Sequence, residues 1–291
     1  MKKYLFTILF LCFLISDSIA QGAKSKVIDN GGSGQYKAVA VSEKSLPDFV
    51  VYRPENIGNA AEKEGKLPVM VFANGGCADS SINHERVLSE IASQGYIVVA
   101  IGSLQMTLDE RQHESTDAKM LLKAINWITK QAKDKDTDYY GNLDLGKIAA
   151  AGQSCGGAQI LAVAGDSRIK TYMMFNSGMG EMTMAGASSK SLESLNGNIL
   201  YIVGGESDVA TNNAEMDYSR IKDVPVAFAN LLEGGHMGTF GEEYGGSFSK
   251  MAVDWLDWQL KGKDNSSVFL ENNLNAYSGW AMKAKNFEHN K

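Results

Sequence analysis

The chain of 291 residues contains one match to the pattern G-x-S-x-G, at Gly152-Gln153-Ser154-Cys155-Gly156. An apolar run, Lys147 to Ala151, precedes it, and a helical pattern, Ala158 to Ala164, follows. Glycines around a serine at such a junction permit a tight, strained strand-to-helix turn that lifts the hydroxyl above the edge of a sheet. Taken alone, the motif could be a Gly-rich structural turn; its context favours a nucleophile. A hydroxyl attacks effectively only when a neighbouring base takes its proton. There are four histidines. His84 and His113 precede Ser154, against the nucleophile–acid–base order that goes with this turn, and His289 lies in a polar tail. His236 remains, in Gly234-Gly235-His236-Met237-Gly238, where flanking glycines let a loop carry the imidazole back toward the serine.

An imidazole base needs a carboxylate to fix its tautomer and to stabilise the imidazolium. Asp208 follows the apolar run Ile199–Val203 through Gly204-Gly205-Glu206-Ser207, which puts it at a strand's carboxyl end, between Ser154 and His236 in sequence. Glu206 and Asp223 are its rivals. Asp223 sits beside Pro225 at the beginning of the next strand and should point to the opposite end of the sheet. The tetrahedral intermediate of acyl transfer needs backbone N–H donors, one from the residue after the nucleophile and one from the loop after an earlier strand. Cys155 and Cys77 are the expected donors, Cys77 lying in Asn74-Gly75-Gly76-Cys77 behind the run Leu67–Ala73. Both cysteines are thus assigned to one small region. A Cys77–Cys155 disulfide is the leading expectation, with two buried free thiols as the alternative. Asn74, Gly76, Asn176 and Met179 are candidate substrate contacts, Met179 with Met182 and Met184 as an adaptable apolar lining.

The elements that must position these residues follow from periodicity. Phe49–Tyr52, Leu67–Ala73, Tyr96–Ile101, Lys147–Ala151, Ile169–Phe175, Ile199–Val203 and Val226–Ala229 read as buried strands. Between them lie helical patterns around Val87–Ala92, over 116–132, over 158–164 and over 248–260. Alternating strands and helices imply a mostly parallel sheet with helices on both faces, in a single domain. In such sheets ligands bind at the carboxyl ends of the strands, where every candidate above falls.

The first residues read differently. Lys2 and Lys3 precede an apolar run from Tyr4 to Ile15, and Ser18-Ile19-Ala20 offers a small-residue cleavage site. This is the pattern of a signal peptide cut after Ala20, too short for a stable membrane span. Residues 21–46, polar and rich in Gly, Ser and Lys, read as a flexible lead-in, and 47–291 as the catalytic domain. Removing residues 1–20 takes two lysines and one aspartate and moves the net charge from −6 to −7. With no cluster of basic residues, nucleic acid is excluded as a partner class. No His/Cys/Asp/Glu grouping has metal-ligand spacing and no loop would cradle a phosphate, so neither metal nor cofactor is expected.

The motif set Asn74-Gly75-Gly76-Cys77, Gly152-Gln153-Ser154-Cys155-Gly156-Gly157, Gly204-Gly205-Glu206-Ser207-Asp208 and Gly235-His236-Met237-Gly238-Thr239 resembles secreted microbial α/β-hydrolases of the dienelactone-hydrolase and cutinase/polyester-hydrolase branch. The closing Trp255-Leu256-Asp257-Trp258-Gln259-Leu260-Lys261-Gly262 resembles that branch's last helix. The resemblance implies an α/β-hydrolase fold with Ser154, Asp208 and His236 as triad and a carboxylic ester as substrate. The branch commonly carries tyrosine where Cys77 stands and Met or Gln where Cys155 stands, so its polyester substrate is not carried over. Compartment alone points to an environmental ester, small or polymer-borne, such as an acyl group on plant polysaccharide. The competing functions are amide or lipid acyl hydrolysis on the same triad, and a carbohydrate- or partner-binding protein on a hydrolase scaffold.

Overall fold

A run such as Leu67–Ala73, apolar at every position, can be accommodated only where both faces of a sheet are covered. The structure, a computed structural model, describes residues 24–108 and 114–287 and provides such a sheet. Its strands are β1 (Ser25–Lys26), β2 (Ala38–Val41), β3 (Phe49–Pro54), β4 (Leu67–Ala73), β5 (Ile97–Ile101), β6 (Leu143–Gln153), β7 (Ile169–Phe175), β8 (Asn198–Val203), β9 (Val226–Leu231) and β10 (Trp280–Lys285). They lie in the order β1-β2-β3-β5-β4-β6-β7-β8-β9-β10. The six from β5 to β9 are parallel, while β1, β2 and β3 on one side and β10 on the other are antiparallel additions.

The helices are α1 (Ile57–Glu64), α2 (Glu85–Ser93), α3 (Lys119–Gln131), α4 (Cys155–Ala162), α5 (Thr211–Arg220), α6 (Gly246–Leu256) and α7 (Ser266–Leu270). Strand side chains alternate between two cores. Val69, Val71 and Ala73 of β4 join Leu121, Ile125 and Ile128 of α3 and Ala158 and Leu161 of α4. Met70 and Phe72 of β4 face the other way, among Leu88 and Ile91 of α2 and Met251 and Trp255 of α6. The result is the expected α/β-hydrolase architecture, an almost wholly apolar sheet between two helical layers.

Two expectations change. The described part of the segment read as a flexible lead-in over 21–46 is built into the sheet. Ala38–Val41 is buried throughout, with Val39 and Val41 in one core and Ala38 and Ala40 in the other. The polar, Gly-rich residues before it are tied to α2, where Glu90 accepts from the Ser33 N–H and hydroxyl, both at 2.7 Å, and Ser93 Oγ accepts from the Gly34 N–H at 2.9 Å. The globular unit therefore begins well before residue 47. Secondly, β10 and α1 were not expected: β10 (WAMKAK) carries two lysines on an edge strand, and α1 buries only Ile57 and Ala60 fully, with Ala61 packed beside them. The proposed signal peptide over 1–20 and His113 and His289 lie outside the described residues.

The order β5-β4-β6 has a consequence for chemistry. From β4 the chain moves one way to β5; it then returns to place β6 on β4's other side. Connections leaving the carboxyl ends of β4 and β6 therefore diverge and leave a crevice, the topological switch point at which parallel sheets bind ligands. The Asn74–Cys77 loop leaves β4 there, and Ser154 follows β6 there.

Candidate active site

Ser154 sits between β6 and α4 with φ 53° and ψ −119°. That positive φ is strained for a serine, and its surroundings enforce it. The Ser154 N–H donates to Phe175 O of β7 at 3.0 Å, and Ser154 O accepts from Ser177 Oγ at 2.7 Å and from the Gly157 N–H at 3.0 Å. A glycine at 156 is obligatory, since a Cβ there would lie 2.2 Å from Ala73 O. The turn is tight because α4 begins directly against the end of β4.

Two loops bring an imidazole and a carboxylate to this serine. His236 Nε2 lies 3.1 Å from Ser154 Oγ, and His236 Nδ1 lies 2.7 Å from Asp208 Oδ1. An ionised carboxylate only accepts hydrogen bonds, so the proton is on Nδ1, and the Nε2 lone pair faces the hydroxyl. The Asp208 side chain is wholly buried. Its Oδ1 also accepts from the Ala210 N–H at 3.0 Å; its Oδ2 accepts from the Gly204 N–H at 2.9 Å and from Asn176 Nδ2 at 2.8 Å. Four donors hold one carboxylate in a single orientation. Glu206 and Asp223, the rivals, are both exposed, and the carboxylate paired with His236 is that of Asp208.

Cys77 and Cys155 form a disulfide, with Cα atoms 5.1 Å apart. The bond spans the switch point from the β4 loop to the first residue of α4. Cys77 has φ 50°, and its carbonyl accepts from both the N–H and Oγ1 of Thr116, each at 2.8 Å. Gln159 Nε2 of α4 in turn donates to Thr116 O at 2.7 Å. The Cys77 peptide is thus held covalently on one side and by hydrogen bonds on the other.

Three of the four candidate substrate contacts, Asn176, Met179 and Asn74, are buried. Asn176 is fully buried, and its Nδ2 donates to Asp208 Oδ2 and, at 3.1 Å, to Gly235 O, while its Oδ1 has no hydrogen-bond partner. Met179 is likewise fully buried and packs in the core. Asn74 is 1% exposed and donates to Ala78 O at 2.9 Å and Ile101 O at 2.7 Å, so it shapes its loop from beneath. Only Gly76 is exposed, with open space where a Cβ would stand. Gln153 and Thr116 were given no role from sequence. A polar residue closing an otherwise buried strand was the available signal for Gln153; Thr116 carried none.

His84, set aside by chain order, is buried between Phe72 and Phe240, with ring centroids 5.1 and 5.0 Å away. Burial lowers its pKa from 6.5 to about 4, against a smaller opposing effect of the Gln153 amide. It is a neutral core imidazole at pH 7. Among the described residues, no group of three or more His, Cys, Asp or Glu could hold a metal ion, and no helix is long and apolar enough to cross a membrane.

The doubly covered parallel sheet, its switch point and a serine at the strand-to-helix turn define an α/β-hydrolase. A chlorophyllase family model matches residues 26–201, more than half of the chain, and the protein belongs to that family. Carboxylic-ester hydrolysis is the activity that membership implies in broad terms. The matched span contains Cys77, Ser154 and Cys155; Asp208 and His236 lie beyond it. None of the curated proteins matches the chain.

Proposed function

We propose that the protein is an exported serine esterase that cleaves carboxylic esters through an acyl-enzyme on Ser154. The observation that carries this reading is the continuous line Ser154 Oγ–His236 Nε2, 3.1 Å, and His236 Nδ1–Asp208 Oδ1, 2.7 Å. Ser154 Oγ attacks the ester carbonyl while its proton passes to His236 Nε2. Asp208 stabilises the imidazolium without taking the proton. The backbone N–H groups of Cys77 and Cys155 receive the developing oxyanion. Collapse breaks the carbonyl–alkoxy bond, and His236 returns its proton to the departing alcohol. Water, deprotonated by His236, then attacks the acyl carbon, releases the acid and restores Ser154.

Export is supported by the signal-like first twenty residues and by the disulfide, a bond that persists in oxidising compartments. The residues next to the acid and base qualify the substrate. Val209 and Met237 are 78% and 49% exposed, and Met182 and Leu232 of neighbouring carboxyl-end loops are also exposed. Large apolar side chains in these positions favour an ester with a hydrophobic acyl or alcohol part over a densely hydroxylated one, and so weigh against the polysaccharide expectation.

Hydrolysis of p-nitrophenyl acetate, butyrate and octanoate, with Ser154→Ala beside the wild type, tests both statements. Wild type should turn over, most efficiently on the longer chains, and Ser154→Ala should be inactive and should not react with a fluorophosphonate probe. Equal turnover by the two proteins would refute the nucleophile; a clear preference for acetate would refute the apolar substrate.

A further inference from the structure

Two buried carboxamides converge on the loop that carries His236. Gln153, the last residue of β6, is 2% exposed, and its Nε2 donates to His236 O at 3.2 Å. Asn176 follows the last residue of β7; its Nδ2 donates to Gly235 O at 3.1 Å as well as to Asp208 Oδ2 at 2.8 Å. The two come from adjacent strands, Gln153 standing in register with Phe175. They grip consecutive carbonyls, those of Gly235 and His236.

Each amide has a second attachment within the site. The Gln153 Oε1 atom occupies the space beside Gly75, where an added Cβ would lie 1.9 Å from it, so the side chain fills the gap beneath the loop that carries Cys77. Asn176 has φ 43°, a left-handed conformation that asparagine tolerates better than most residues, and its N–H donates to Ile202 O at 2.7 Å. The amides thus link the ends of β6, β7 and β8 to a loop that is otherwise glycine-rich. His236 itself is a third exposed at its side chain, so packing alone does not fix it.

We infer that Gln153 and Asn176 form a carboxamide clamp, a pair of positioning residues that hold the His236 loop in register with Ser154. The inference rests on the proposed roles of Ser154 and His236. Neither amide is a catalytic residue: each acts through the backbone carbonyl it holds, and Asn176 acts through Asp208 as well. A base displaced by about 1 Å can cost on the order of 10²-fold in rate, so the clamp should appear in turnover rather than in substrate binding.

The experiment compares wild type with Gln153→Glu, Asn176→Asp and the double variant, chosen because they keep shape and remove a donor. Each single variant should lower kcat about tenfold or more with KM within about twofold, and should slow fluorophosphonate labelling of Ser154 in parallel. Because the amides hold one loop, the double variant should fall less than the product of the single effects. Gln153→Ala and Asn176→Gly repeat the test without the added carboxylates. A folded variant, melting within a few degrees of wild type, that labels and turns over at the wild-type rate overturns the clamp. So does an unchanged His236 loop in a crystal structure of Gln153→Glu. If wild-type Ser154 does not label at all, the proposed catalytic roles fail instead. The loop position in the Gln153→Glu structure then decides the clamp on its own.

Discussion

Removing the Cys77–Cys155 bond should cost stability far more than turnover, and the structure indicates why. The bond closes a loop of 78 residues. In the chain-entropy account, cross-linking residues that far apart withholds about 15 cal/mol/K from the unfolded ensemble, or ~4.5 kcal/mol at 25 °C. For a domain of this size 1 kcal/mol corresponds to about 2–4 °C in melting temperature, so Cys77→Ser with Cys155→Ser should melt roughly 9–18 °C below wild type. The folded state has less to lose. The Cys77 carbonyl keeps both Thr116 bonds at 2.8 Å, and Asn74 Nδ2 still braces the loop against Ala78 O and Ile101 O. An N–H donor on a loop held this way stays in place, so kcat should fall by less than about tenfold, against the ~10²–10³ expected for losing an oxyanion donor outright.

Calorimetry or urea unfolding of the double serine variant gives the first quantity, and steady-state hydrolysis at a temperature where the variant is fully folded gives the second. Wild type treated with a reductant should approach the variant in both. The opposite pattern, a melting temperature nearly unchanged and kcat down a hundredfold, would refute this reasoning. The bond would then be a clamp on the native site, with the Thr116 contacts too weak to replace it.

Asp208→Asn should leave the fold intact and lower kcat by ~10⁴, because an amide in place of the carboxylate favours the wrong imidazole tautomer; a loss below tenfold would remove Asp208 from its assigned role. Burial of His84 makes stability depend on pH. Its folded pKa, about 4, lies below its ordinary 6.5, so the unfolded chain binds the extra proton as pH falls from 6.5 toward 4, and stability declines over that window. Between pH 7 and pH 5 wild type should lose ~2 kcal/mol more in urea unfolding than His84→Gln; equal losses would show that this imidazole does not set the acid sensitivity. Gly156→Ala should destabilise by about 3 kcal/mol or more, since the new Cβ meets backbone at Ala73 O, 2.2 Å away, which cannot swing aside. Near-normal urea midpoints for that variant would mean that the β4–α4 contact is looser than drawn.

The parts of the fold legible in sequence were those that obey one strong rule. β4, β7 and β8 are apolar at nearly every position, and their predicted limits agree with the structure to within a residue. The meeting of Ser154, Asp208 and His236 at one edge was legible because the glycines beside them, chain order and strand ends all pointed there. What stayed hidden depends on partners distant in sequence. β2 is short and rich in alanine, and its place is fixed by β3 and by Glu90 and Ser93, some 50 residues on. Asn74 and Asn176 stand where substrate contacts are expected, at strand carboxyl ends, but side-chain direction is not readable from position. Both turn inward, because a buried carbonyl or carboxylate needs a donor more than a solvated substrate does. Met179 likewise turns inward and packs in the core.

The disulfide shows how far topology can carry such an inference. Nothing local pairs Cys77 with Cys155 across 78 residues. Once β4 and β6 are neighbours, however, with Ala73 paired to Gly152 about one strand spacing, roughly 4.8 Å, away, the short turns that follow them start side by side, and the Cα atoms of Cys77 and Cys155 come 5.1 Å apart. That distance falls within the usual Cα range of a disulfide. The same adjacency brings together the peptide groups assigned to the oxyanion and leaves Gln153 in contact with Gly75. The cross-link, the proposed oxyanion site and one arm of the proposed clamp are therefore three consequences of a single strand order. A substitution that separates β4 from β6 at this edge should impair all three together, whereas one that removes only the sulfurs should impair the first.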